Sequence, residues 1–256
     1  MESRDQLVSV WGRLGAEPSG GDGVDYLWAG SPFGLANAIT LSAQDIPAED
    51  LSEQLVRAAA FLREQSEGGY LWIFDDLLSP RARQELDERA AATGLEIAFT
   101  GYGMDGETTV DQPHHPDLEF RRVETEDDLR TYGEINALAY DAPASVGQQA
   151  FTGSPLLLDD AYAVIGYRDG RPVTCAAAVS SGDVLVVAFV ATLAEESRRG
   201  YGEAVTRQAI FGAGPHRRVL AHSTAEGRPV LERIGLRATS TIRFLQPTFA
   251  LDDLGA

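Results

Sequence analysis

Three observations in the second half of the chain predict an α/β protein built on a mixed sheet. Strand-type and helix-type segments alternate from about Asp117 onward. The run from Val184 to Ala191 (VLVVAFVA) is apolar and largely β-branched over one strand length, the pattern of a strand buried on both faces. A glycine-bearing turn, Arg198 to Gly202, follows it and opens a helical segment.

In chain order, the front half supports strands at Asp25 to Trp28, Leu35 to Leu41 and Tyr70 to Phe74, with helices at Ala48 to Glu64 and Arg81 to Thr93. Gly94-Leu95 then leads into another strand. The polar, proline-bearing stretch Gln112-Pro113-His114-His115-Pro116 reads as a linker, dividing the chain into 1–115 and 116–256. Adjacent histidines without a Cys or carboxylate at ligand spacing predict no metal site. Behind the linker, Asp117 to Val123 reads as a short strand, and Thr125 caps a helix running to about Tyr140. Ala161 to Tyr167 and Pro172 to Ser180 flank Asp169-Gly170, a hairpin turn signal. After the apolar run come a helix from about Tyr201 to Phe211, a strand from Arg218 to Ser223, a helix opened by Pro229 and ended by Gly235, and a strand from Thr239 to Leu245. The order helix, Gly-Leu, strand occurs at Gly94-Leu95 and again at Gly235-Leu236, which suggests a duplicated half whose first copy lacks the loop motif.

Composition narrows the class. A chain of 256 residues with 44% hydrophobic content can build one large core or two ordinary ones. The start, Met-Glu-Ser-Arg-Asp, shows no basic patch followed by an apolar core, and no apolar run approaches a bilayer span, so a cytoplasmic protein without membrane contact is expected. One cysteine, Cys175, allows no internal disulfide. The net charge of −18 is uneven: 7 basic and 20 acidic residues up to Pro116, against 14 and 19 after it. Such a surface repels polyphosphate, arguing against nucleic acid, and would attract a cationic amine, although solubility is the commoner reason for an acidic surface. A monomer and a homodimer both fit.

The segment Ser197-Arg198-Arg199-Gly200-Tyr201-Gly202 carries the chemistry. Unpaired N–H groups at a helix start, the positive end of the helix dipole and nearby arginines favour a phosphate, and glycines let it approach the backbone. A dinucleotide fingerprint would want glycine at Val205, and a P-loop would want Gly-Lys-Ser/Thr; both are absent.

These residues resemble the GNAT superfamily of acyl-CoA-dependent N-acyltransferases, whose signature Arg/Gln-x-x-Gly-x-Gly/Ala is met here except that Ser197 holds the first position. A second family signature, Gly-x-Pro-Val-Tyr-x-x-x-Gly-Phe, is similar to the segment from Gly227 to Leu236, with Leu231 at the tyrosine and Leu236 at the phenylalanine. The resemblance covers roughly Asp117 to Pro247 and points to a branch in which a degenerate GNAT-like half precedes the active one. It implies that the backbone of Val190, Ala191 and Thr192 pairs with the pantetheine arm, that Arg198, Arg199, Gly200, Tyr201, Gly202 and Glu203 hold the pyrophosphate, and that acetyl-CoA is the co-substrate. It further implies a splayed central pair of strands, with the thioester facing a small-molecule or peptide amine.

Catalysis is less defined. Acyl transfer to an amine needs a neutral nucleophile, an oxyanion donor and a proton for the departing thiolate. Leu231 cannot supply that proton. The backbone N–H of Val190 can serve the oxyanion. Candidates for base or acid are Glu134, His222, Tyr140 and a late carboxylate such as Asp252, with Ser223 beside the thioester. Each has a structural alternative: Glu134 a solvated helix face, His222 and Tyr140 core packing, Ser223 a strand-end hydrogen bond.

Overall fold

The computed structural model describes residues 2–15, 18–107, 111–215 and 218–248; Asp252 lies outside them. The front half forms α1 (Glu2–Trp11), β1 (Ser19–Gly21), β2 (Val24–Leu27), β3 (Ala38–Leu41), α2 (Ala48–Glu64), β4 (Tyr70–Phe74), α3 (Pro80–Gln84), α4 (Leu86–Ala92) and β5 (Leu95–Glu107). The back half forms β6 (Glu119–Arg122), α5 (Glu126–Ala139), α6 (Ala144–Ala150), β7 (Ala161–Arg168), β8 (Arg171–Ser181), β9 (Val184–Thr192), α7 (Tyr201–Gly212), β10 (Arg218–Thr224), α8 (Arg228–Ile234) and β11 (Arg237–Pro247).

Local chemistry explains most boundaries. α2 buries Leu51, Leu55, Ala58, Ala59 and Leu62 on one stripe and carries Glu49 and Asp50 in its first turn, where the helix dipole favours them. Thr125 and Asp128 form a reciprocal capping box on α5. Gly235, at φ 110°, ends α8 in the left-handed region.

Three features depart from the sequence expectation. The helix expected over Arg81 to Thr93 breaks at Glu85, whose ψ of 2° leaves the helical range while Arg81 and Arg89 hold its carboxylate. α1 was not expected, yet it buries Ser3, Leu7, Val10 and Trp11. α6 was not expected either, and it packs on α5 where Gly133 meets Gly147. A Cβ on Gly133 would stand 2.0 Å from the Gly147 carbonyl oxygen, so only this pair allows the approach.

Among the described residues, eleven strands join one mixed sheet in the order β1-β2-β3-β4-β11-β5-β10-β9-β8-β7-β6. The two halves repeat a pattern: β3 and β4 pair in parallel across α2, as β9 and β10 do across α7. Each half then sends its last strand into the other. β11 lies antiparallel between β4 and β5, and β5 lies antiparallel between β11 and β10. One hydrophobic core includes Leu51 and Phe74 from the front half with Tyr132, Ile135 and Ala188 from the back. A second core, on the other side of β9 from Ala188, packs Val205 and Ala209 of α7 and Leu231 of α8 against Leu185, Val187 and Ala221.

Candidate active site

The centre of the back half opens between β9 and β10. Their parallel register runs from Val184↔Arg218 to Val187↔Ala221 and stops there, although β9 continues to Thr192 and β10 to Thr224. Beyond that point β10 stays paired with β5 as far as Thr224↔Gly101, and β9 with β8 as far as Thr192↔Thr174. Each strand follows its outer neighbour, so a gap opens between them.

β9 also bulges at the gap. The register moves from Ala188↔Ala177 to Ala191↔Cys175, leaving Phe189 and Val190 as the extra residues opposite Ala176. Phe189 has φ 50°, a left-handed conformation that costs a bulky residue about 1–2 kcal/mol. Tertiary contacts offset that cost: the Tyr132 hydroxyl donates to the Phe189 carbonyl at 2.8 Å, and the Phe189 ring packs on Trp11 at 4.8 Å and Phe151 at 5.0 Å. The bulge leaves Val190 without a partner in the β8 register.

After β9, a single turn of 3₁₀ helix (Ala194–Glu196) leads into the turn at Arg198, with φ 60°, and Gly200, with φ 83°. Gly200 is the N-cap of α7, and no side chain caps that helix. Its first residues, Tyr201 to Glu203, line a cavity, and among the described residues no side chain caps their N–H groups, an arrangement suited to a phosphate. Gly202 is open on this side; a Cβ there would meet only Thr192 Oγ1 at 3.3 Å. Glu196, 7% exposed, accepts from Arg168 at 3.0 and 3.2 Å and pairs with Arg199 at 3.2 Å, tying the turn to the end of β7. Burial alone would raise the Glu203 carboxyl, but Arg233 and Arg207 hold it below its ordinary value. They also turn it away from capping the helix.

A cavity of about 1090 Å³ runs from this turn through the gap to the front half. Of the residues expected to hold the co-substrate, Val190, Ala191, Thr192, Arg198, Gly200, Tyr201, Gly202 and Glu203 line it; Arg199 does not, being engaged with Glu196. Of the residues considered for catalysis, Tyr140, His222 and Ser223 line it and Glu134 does not. The Glu134 carboxylate accepts from Gln148 at 2.9 Å across the outer surface of α5 and α6.

His222 and Ser223 are neighbours on β10 and so face opposite sides of the sheet. The His222 ring lies among Trp11, Trp72 and Phe74, and its Nε2 donates to the Ser3 carbonyl at 2.8 Å. Burial lowers its pKa to about 4, so the ring is neutral near pH 7 with an unpartnered Nδ1 lone pair. Such a group accepts a hydrogen bond but is a weak general base. The Ser223 hydroxyl is buried and unpartnered. Tyr140 is 42% exposed by area, yet it stands in a concave mouth where surrounding protein raises its phenol pKa. Leu231, 5% exposed, forms part of the wall where the resemblance would place a tyrosine.

Several residues of the site were not singled out in the sequence. Tyr132 and Asn136 brace the bulge from α5, Asn136 donating to Cys175 Sγ at 3.1 Å. Glu196 anchors the turn, while Trp11, Trp72 and Phe99 come from the front half. Only the helical spacing of Tyr132 and Asn136, four apart on one face, was visible in advance. Among the described residues no group of three or more His, Cys, Asp or Glu side chains could hold a metal ion, and no helix is long and apolar enough to cross a membrane.

The mixed sheet with its splayed central pair and uncapped helix start defines the fold as that of the GNAT acetyltransferases. The chain is similar, over 98% of its length and 97% of the other, to a GCN5-related N-acetyltransferase from Kribbella flavida (18% identity, TM-score 0.68). It is also similar to a GCN5-related N-acetyltransferase-like protein from Streptococcus suis (12% identity, 96% and 98% covered, TM-score 0.59). A functionally unknown conserved protein from Staphylococcus epidermidis shares the fold at 12% identity, with 97% and 100% covered and a TM-score of 0.66. No protein-family model and no curated protein matches the sequence.

Proposed function

We propose that the protein is an N-acyltransferase that moves an acyl group, acetyl in the simplest case, from acyl-CoA to a primary amine. The observation that carries this reading is the continuity of one cavity from the uncapped start of α7, through the gap beside the β9 bulge, to the opposite face of the sheet. A pyrophosphate binds the N–H groups of Tyr201 to Glu203 with Arg198 beside it, the pantetheine arm runs along Val190 to Thr192, and the thioester reaches the gap. The neutral amine approaches from the other face and attacks the acyl carbon. The Val190 N–H stabilises the oxyanion, the C–S bond breaks, and an amide and the CoA thiol form. Tyr140 or a water in the mouth supplies the proton that Leu231 cannot.

A second reading, an acyl-CoA-binding module with little turnover that acts through partner contacts, is favoured by Leu231 alone. Thermal shift with acetyl-CoA and longer acyl-CoAs, followed by free-thiol release over an amine panel, separates the two. Stabilisation with thiol release supports the transferase; stabilisation without release supports the module. No stabilisation by any acyl-CoA rejects both. By its chemistry the protein belongs in the cytoplasm, where acyl-CoA is available.

A further inference from the structure

The chemical character of the cavity changes where it crosses the sheet. On the α7 side its lining carries Arg198, Glu203 and Arg233. On the other side the front half contributes Trp11, Phe33, Leu35, Trp72 and Phe99, none of them charged, and the end of α5 contributes Asn136, Tyr140 and Asp141.

The rings interlock into a preformed wall. Trp11 meets Trp72 edge-on at 5.1 Å, Trp72 meets Phe244 at 4.4 Å, and Phe244 stacks on Phe99 at 4.3 Å with an interplanar angle of 16°. Phe189, held in the bulge, closes the wall against Trp11 beside the gap. The one imidazole among these rings, His222, is held neutral.

We propose, resting on the transferase reading above, that the acceptor is a primary amine joined by a short linker to an aromatic ring, and that the front half supplies its binding wall. A ring placed there finds partners at the 4.5–7 Å spacing that aromatic pairs favour. Two carboxylates, Asp141 and Glu226, also line the cavity near Tyr140, but the ring wall itself carries no charge. A polyamine, an aminosugar or a lysine-bearing peptide would bring further polar groups to that wall, and each group left unpaired there costs affinity. The same apolar surroundings favour the uncharged amine over its ammonium form, which is the form the reaction needs. In the transfer the amine nitrogen bonds to the acyl carbon, the C–S bond breaks, and the proton lost from nitrogen ends on the thiol.

The test measures thiol release by the full chain with acetyl-CoA and, in turn, 2-phenylethylamine, spermidine and a lysine-bearing peptide. The expected kcat/KM for 2-phenylethylamine exceeds the other two by about 30-fold or more, the value of burying one phenyl ring. Leu35→Trp, which fills the chamber, should raise KM for 2-phenylethylamine about tenfold while the acetyl-CoA thermal shift is unchanged. Phe99→Leu, at a half-buried position, provides a second variant with the same expected direction. If acetyl-CoA stabilises the protein but spermidine or the peptide is the better acceptor, or 2-phenylethylamine releases no thiol, the acceptor assignment falls and acyl-CoA binding stands. Absence of any acyl-CoA shift overturns both.

Discussion

At the scale of single residues, two positions decide how the cavity behaves. His222 is neutral because burial among three aromatic rings disfavours its charged form, placing its pKa at about 4 against an ordinary 6.5. Between those values the unfolded chain binds more protons than the native one. The resulting contribution to stability, about 3 kcal/mol, is therefore complete above pH 6.5 and lost as pH falls toward 4. Melting temperature should fall across that window in the wild type, and His222→Gln should flatten the dependence; an identical slope in both would remove the histidine from the account. Leu231 matters for a different reason, since it lines the wall and offers no proton. Leu231→Tyr should raise thiol release by about tenfold or more if protonation of the thiolate limits turnover. An unchanged rate with intact acyl-CoA binding would show that Tyr140 or water already meets the need.

At the scale of elements, the start of α7 and the bulge in β9 make one device from two kinds of backbone irregularity. The helix start presents N–H groups that no side chain caps among the described residues. The bulge frees an N–H by removing two residues from a ladder. Neither depends on side-chain identity, which is why Ser197 in place of arginine or glutamine leaves the turn intact. Steric openness does matter. Gly202→Trp would project a ring from the first turn of α7 into the phosphate position, and acyl-CoA affinity should fall by about 100-fold or more while the fold is retained. Unchanged affinity by titration calorimetry would refute this placement of the pyrophosphate.

At the scale of the whole molecule, the halves are interlaced. β5 and β11 each lie in the territory of the other half, and one core runs beneath both. The front half therefore completes the sheet of the back half and also furnishes one wall of the cavity. Residues 116–256 expressed alone would leave β10 and β11 with unpaired edges and exposed apolar surface. They should lack a cooperative melting transition that co-expression with residues 1–115 restores. A cooperative melt of the isolated back half near that of the full chain would contradict this.

The sequence by itself determined the α/β class, most elements of the back half, and the turn from Ser197 to Gly202. Each of these is written in local patterns: a β-branched run, a capping threonine, glycines before a helix. The tertiary structure alone decided the strand exchange between halves, the bulge at Phe189, the tie from Glu196 to Arg168 and Arg199, and the aromatic wall. Phe189 illustrates the reason. No nearby residue forces phenylalanine to φ 50°; the conformation persists because Tyr132 holds its carbonyl and Trp11 and Phe151 hold its ring from 57, 178 and 38 residues away in the chain. Local pattern encodes the uncapped helix start and its glycines, whereas the shape of the cavity arises only when distant segments pack.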